Sequence, residues 1–213
     1  LAHNGVLFLD ELPEFPRNVL EIMRQPLEDK NVTISRVNGK LTYPSDFMLL
    51  AAMNPCPCGY HGYGEKCTCS ENKIIKYLSR ISGPLLDRID INIEASPVNF
   101  DQISDDRKQE SSEEIKKRVE KAHKIQAERY KNENILFNSQ LSPSQIEKYC
   151  KLDEMTTDFL RIAFDNMNLS ARAYHKILKM ARTAADLEGA ENIQFEHVSE
   201  VLRYRNLDRK FLI

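Results

Sequence analysis

Two acidic side chains, Asp10 and Glu11, stand directly after the apolar run Val6-Leu-Phe-Leu9. Four hydrophobic residues ending in Asp-Glu is the way nucleotide-hydrolysing sheets present two carboxylates. The aspartate reaches the shell of a Mg²⁺ ion, and the glutamate polarises a water against the γ-phosphate. A strand that simply ends in solvated acids has the same appearance, and that reading stays open. A second apolar run, Phe47 to Met53, ends in Asn54. Its carboxamide both donates and accepts, so it could hold the attacking water or touch the γ-phosphate.

Cysteines form the other chemical cluster. Cys56-Pro-Cys58 and Cys67-Thr-Cys69 are two Cys-x-Cys pairs eight residues apart. Four thiolates so close in sequence could hold Zn²⁺ tetrahedrally, with His61 as a substitute ligand. Zinc knuckles favour two intervening residues, and chelation by both sulfurs of Cys-x-Cys is tighter geometry, so a reduced, loosely ordered loop is the alternative. Cys150 falls on an expected helix and reads as a core residue.

The elements that must position these groups follow from periodicity. Residues 6 to 9 read as a strand buried on both faces of a parallel sheet, which would put the acids in the crevice at its carboxyl end. Pro16 suits a helix N1 position, and Val19, Leu20, Met23 and Leu27 recur at helical spacing, giving a helix from about 16 to 25 broken near Pro26. Two β-rich runs, 32 to 36 and 40 to 43, flank Asn38-Gly39, a strong hairpin signal. Residues 71 to 81 read as helix, and Ile89 to Ile93 as an alternating strand. The polar stretch 96 to 110 reads as a linker. Ser111 and Glu114 form a capping box that opens a charged helix to about residue 131. Its mixed charges imply a solvated face, to which the nearby Arg107 and Lys108 add. Further helices are expected at 142 to 150, 153 to 166, 170 to 188 (stopped by Gly189) and 194 to 203. The fold class is therefore α/β over 1 to 95, followed by an all-α part over 111 to 213.

Composition narrows the partners. The 213 residues are 41% hydrophobic, enough for one or two ordinary cores. Thirty basic against thirty-two acidic residues leave a net charge of −2, so no global field draws the chain to a polyanion and any such contact must be local. The longest wholly apolar run has seven residues, far from the roughly 20 needed to span a bilayer. No membrane contact is expected, and a cytoplasmic setting fits the unpaired cysteines.

Taken together, GVLFLDE at 5 to 11, the hairpin at 32 to 43, MNPCPCGY at 53 to 60, SGPLLDRIDI at 82 to 91 and LSARAYHKILKMARTAADLEG at 169 to 189 resemble the magnesium-chelatase-like AAA+ ATPases of the ComM/YifB type. The resemblance runs through nearly the whole chain. It implies the second half of a P-loop AAA+ core sheet with a pre-sensor 1 β-hairpin, plus a helical lid. It also implies ATP and Mg²⁺ as ligands, Asp10 and Glu11 as the Walker B pair, and Asn54 as sensor 1. Arg88 matches the arginine finger that acts on a neighbouring subunit's nucleotide, with Arg80 as a rival, and Arg172 matches sensor 2. For Arg88 a salt bridge with Asp87 or Asp90 is the plainer alternative. For Arg172 it is an exposed arginine on a helix.

The hairpin would line the pore of a ring, a homo-hexamer by the same resemblance, with Arg36, Asn38 and Lys40 around its tip. Two cations there could grip DNA phosphates without reading bases, giving salt-sensitive, sequence-independent binding. A surface hairpin with ordinary solvated charges is the alternative. No Gly-x-x-x-x-Gly-Lys-Ser/Thr occurs in the chain. The string from Gly59 to Lys66 has the glycine spacing, but Glu65 stands before the lysine, where a carboxylate would repel phosphate. The expectation is a piece of a longer protein, a DNA-acting ATPase, that is inactive by itself. Two other readings are an ATPase of a metal-chelatase-like remodelling complex and a zinc-containing DNA-binding module.

Overall fold

The computed structural model describes residues 1–36, 39–95 and 110–205. It divides into two compact units, Leu1–Asp90 and the part beginning at Ile91. In the first, strand β1 (Val6–Leu9) pairs in parallel with β4 (Met48–Ala51), Val6 opposite Met48 and Leu9 opposite Ala51. Between them come helices α1 (Arg17–Ile22) and α2 (Arg24–Asp29), then an antiparallel hairpin of β2 (Asn31–Arg36) and β3 (Gly39–Pro44). Helices α3 (Glu71–Leu78) and α4 (Gly83–Leu86) follow the cysteines.

Three expectations are corrected here. The β1 strand is not buried on both faces: exposure alternates along it, with Val6 and Phe8 each 55% exposed. Its inner face, through Leu9, lies on the cluster of Leu12, Leu20, Ile81, Leu85 and Leu86. The helical break falls at Met23 instead of Pro26, which sits in the first turn of α2. Proline is tolerated there because a first-turn N–H has no intrahelical acceptor to lose. Residues 89 to 93 are not a strand. Arg88 and Ile89 donate back to Leu85 and Leu86 and prolong the α4 turn, and among the described residues no strand pairs with this stretch.

The second unit is helical: α5 (Ser112–Arg129), α6 (Pro143–Tyr149), α7 (Glu154–Asn166), α8 (Ala171–Glu188) and α9 (Phe195–Arg203). Caps set their starts. Ser111 and Glu114 form the expected reciprocal box, Ser142 and Gln145 a second, while Asp153 and Ser170 accept from Thr156 and Ala173. Gly189 ends α8 at φ 84°, a left-handed conformation that suits a residue without Cβ. The core gathers around α8, where Ile177, Leu178, Ala181 and Ala185 meet Tyr130, Leu141, Ile146, Leu160, Val198 and Val201. Cys150 is buried among them as expected, and its burial pushes the thiol pKa up to about 11.

Inside this core lies a polar network that the sequence did not reveal. Asp186, wholly buried, takes both guanidinium nitrogens of Arg129, the Nε of Arg182 and the amide of Asn138. Arg182 also donates to the Ala190 and Glu191 carbonyls that follow the Gly189 cap. Hydrogen bonding to Asp186 raises the pKa of Arg129, while burial lowers that of Arg182. One carboxylate is thus shared by two guanidiniums, and the remaining positive charge is met by the two carbonyls on Arg182 and by partial exposure of Arg129, whose side chain is 17% exposed.

Candidate functional site

Because β1 and β4 are parallel and in register, the segments leaving them start from the same end of the pair. Backbone bonds extend the pairing: Ala52 donates to Leu9, and Leu12 donates to Ala52. Asp10 and Glu11 occupy the crossing between those two bonds, and Asn54 follows on the other strand. All three are exposed. Glu11 has φ 51° and ψ 46°, a left-handed backbone costly for a residue with a Cβ, and its N–H donates to the Asp10 carboxylate at 2.8 Å. The chain here is held in a strained turn that keeps both acids on the solvent side of the strand end.

Tyr77 of α3, 6% exposed, is a residue that sequence reasoning missed. Its phenol is hydrogen-bonded to the backbone of Asn54, and burial followed by the charges of Glu14 and Glu11 raises its pKa. The only signal in the sequence was the apolar stripe on α3. Nearby, the exposed Arg80 donates to the Pro13 carbonyl at 2.9 Å and the Glu14 carboxylate at 2.8 Å, pinning the short turn (Leu12–Glu14) that follows Glu11.

Arg88 is tied down within its own unit. It donates to the carbonyls of Arg24 at 3.1 Å and Pro84 at 2.6 Å and is ion-paired with Glu28, its side chain only 13% exposed. Sequence reasoning looked to Asp87 or Asp90 for that pairing, whereas the fold brings Glu28 from α2. Arg172 belongs to the helical unit and is exposed in the first turn of α8.

In the hairpin, Arg36 pairs with Gly39 and Ser35 with Lys40. Successive side chains alternate across a strand, so Arg36 and Lys40 project from opposite faces of the ribbon near its end. Both are exposed, as is every residue of β3. Asn38 lies outside the described residues, as do Arg107, Lys108 and most of the expected linker.

The four clustered cysteines converge. Cys56, Cys58, Cys67 and Cys69 have all their sulfurs within 4.8 Å of one another, although 67 and 69 are separated in sequence from 56 and 58 by a loop. Cys56 is fully buried. Hydrogen bonds from the Tyr60 backbone, then from Cys56 and the Thr68 backbone, bring Cys58 down to about 6. At Cys67 a bond from the Cys69 backbone favours the thiolate, but burial and the neighbouring Cys58 and Cys56 outweigh it and hold the thiol up at about 11. Gly59, at φ 82°, turns the chain back after Cys58, its N–H donating to the Cys56 carbonyl. A Cβ at Gly59 would stand 4.0 Å from the carboxamide of Asn54. His61 is not among the converging groups.

The unit that carries the parallel strand ends with their acids, and the helical unit that follows it in the sequence, correspond to two protein-family models. Residues 1–103 match that of magnesium chelatase, subunit ChlI, and residues 109–205 match its C-terminal counterpart. The chain belongs to the magnesium-chelatase-like AAA+ family. Within it, the chain matches the ComM/YifB group: it is 46% identical to competence protein ComM of Haemophilus influenzae and 43% identical to YifB of Salmonella typhimurium, over 98% of its own length in both cases. It spans 40% of the length of each of these relatives. A more distant likeness, 22% identical over 95% of this chain and 24% of the other, is to a maternal DNA replication licensing factor of Xenopus tropicalis. Among the described residues, no helix is long and apolar enough to cross a membrane.

Proposed function

We propose that this chain supplies the hydrolytic half of the ATP site, and the lid, of a longer AAA+ motor that acts on DNA. The observation that carries the reading is the placement of Asp10, Glu11 and Asn54 at one end of two paired parallel strands, with Glu11 in a strained turn. The donor set suits the ligands: exposed carboxylate oxygens match a hard Mg²⁺ ion, and a neutral carboxamide can bind water or phosphate without repelling either. Bound Mg²⁺ would neutralise charge on the phosphates. Asp10 would hold that ion's shell, Glu11 would accept a proton from the attacking water, and Asn54 would fix that water by hydrogen bonding. The products are ADP and phosphate. Arg172 brings positive charge to the phosphates, and Arg88, once released from Glu28, does so from the adjoining subunit of a homo-hexameric ring. By itself the chain, which has no Gly-x-x-x-x-Gly-Lys-Ser/Thr, binds ATP weakly and does not turn it over.

DNA enters through the protruding hairpin, where Arg36 and Lys40 on opposite faces can meet phosphates on either side of the ribbon. The competence and replication-licensing names of the similar proteins favour DNA over a metal-chelatase role. In the longer protein, Glu11→Gln should retain ATP binding and lower turnover by about 10²–10⁴-fold. Neutralising Arg36 and Lys40 should remove stimulation of turnover by DNA. Turnover that neither DNA nor these substitutions alter would favour the chelatase-type alternative.

A further inference from the structure

We propose that Cys56, Cys58, Cys67 and Cys69 bind one zinc ion as a tetrahedral tetrathiolate, and that this ion fixes the carboxamide of Asn54 at the strand end. With Zn–S bonds of about 2.3 Å, the sulfurs of a tetrahedral site stand about 3.8 Å apart. The observed separations are 3.3 Å for Cys56–Cys58, 3.7 Å for Cys58–Cys67 and 3.9 Å for Cys56–Cys67. The tight geometry expected of Cys-x-Cys is visible in the shortest of these, and the fold accommodates it.

Backbone groups of the loop are turned to serve thiolates. Tyr60 and Thr68 are hydrogen-bonded to the Cys58 sulfur, Cys69 to that of Cys67, and Cys58 to that of Cys69. Bonds to the ligand sulfurs are the second shell that orients a metal's ligands. Four thiols packed together without an ion would leave their weak donors and acceptors to satisfy one another in a half-buried site, a poor exchange for water.

The same loop flanks Asn54 twice. Gly59, in the turn made by Cys56 and Cys58, is placed so that a Cβ there would stand 4.0 Å from its carboxamide, and Tyr77, on the helix entered just after Cys69, is bonded to its backbone. An ion joining 56 and 58 to 67 and 69 ties those two flanks together, so losing it frees the Asn54 side chain while β1, β4 and the helices persist. Asn54 is here a residue positioned by the ion, and its importance for turnover rests on the ATPase reading above.

The test uses the 213-residue chain, purified without chelator. Elemental analysis should find about one equivalent of zinc. Replacement by cobalt should give the sulfur-to-cobalt charge-transfer and intense visible bands of a tetrahedral tetrathiolate, and the double variant Cys67→Ser/Cys69→Ser should retain less than a tenth of an equivalent. Less than a tenth of an equivalent in the unaltered chain, or a weak octahedral cobalt spectrum, overturns the site.

For the second half, the ¹⁵N side-chain amide signals of Asn54 are assigned by their loss in Asn54→Ala. They should shift on removing zinc from the unaltered chain and return when zinc is added back, with helical circular dichroism constant throughout. Unmoved signals as zinc leaves overturn the coupling. Neither readout depends on ATP turnover, so failure of the motor reading and failure of this one are distinguishable.

Discussion

In the N-terminal unit Val6, Phe8, Met48 and Leu50 are each more than half exposed, whereas in the helical unit Ile177, Ala181, Ala185 and Val198 are completely enclosed. The polar groups divide in the opposite sense. Asp10, Glu11 and Asn54 stand in solvent, while Asp186, Arg182 and Asn138 are shut inside the helical core. A carboxylate in water at a strand end keeps its freedom to meet a ligand. One sealed among three donors is committed to holding helices together. The N-terminal unit owes its shape to turns, caps and a small cluster under one sheet face, and the helical unit to a closed core.

The sharpest way to break this contrast is to remove the buried carboxylate. Asp186→Ala leaves Arg129 and Arg182 facing each other in the core without their shared partner, and should cost about 3–5 kcal/mol. Denaturant unfolding followed by hydrogen exchange should show the loss in α5, α8 and α9, with the hairpin amides unaffected. A loss below about 1 kcal/mol would mean that the network is dispensable.

A paired truncation comes next. Ile177→Ala removes atoms from a fully enclosed site and should cost about 2–5 kcal/mol, whereas Phe8→Ala, on an open strand face, should cost well under half as much. Equal costs would show that Phe8 is covered in solution, by a second copy or by other parts of the protein.

The smallest effect concerns Glu133, which is hydrogen-bonded by Tyr149, Lys148 and Gln145, in that order of influence, and held at about 2. A carboxylate with a depressed pKa stabilises the fold above its ordinary value near 4.5, and that contribution is lost as the pH falls toward 2. Stability of the unaltered chain should therefore decline over that window, and Glu133→Gln should flatten the decline slightly.

Much of the helical unit was legible because its signals are local. Ser111 with Glu114, Ser170 and Gly189 act within a few residues of themselves, so caps read from sequence agree with the helix ends to within a residue or two. Asp10 and Glu11 were legible for a similar reason, since an apolar run that stops at two acids marks a strand end wherever it lies. Residues 89 to 93 misled because alternation shows what a strand would look like but supplies no partner to pair with. Pro26 misled because its effect depends on where the helix starts, and Met23 decided that.

By itself, the sequence determined the chemistry on offer: two acids and an asparagine at apolar run ends, four cysteines in two pairs, cations beside a hairpin, and the family to which these belong. Only the tertiary structure decided which groups meet. It brought Glu28 to Arg88 across sixty residues, gathered Arg129, Asn138 and Arg182 around Asp186, put Arg36 and Lys40 on opposite faces, drew the four cysteine sulfurs together, and bonded Tyr77 to the backbone of Asn54. The physical reason is range. Caps, turns and periodicity are fixed by neighbours along the chain, whereas the partner of a charge or thiol is fixed by packing between elements, which no local pattern encodes.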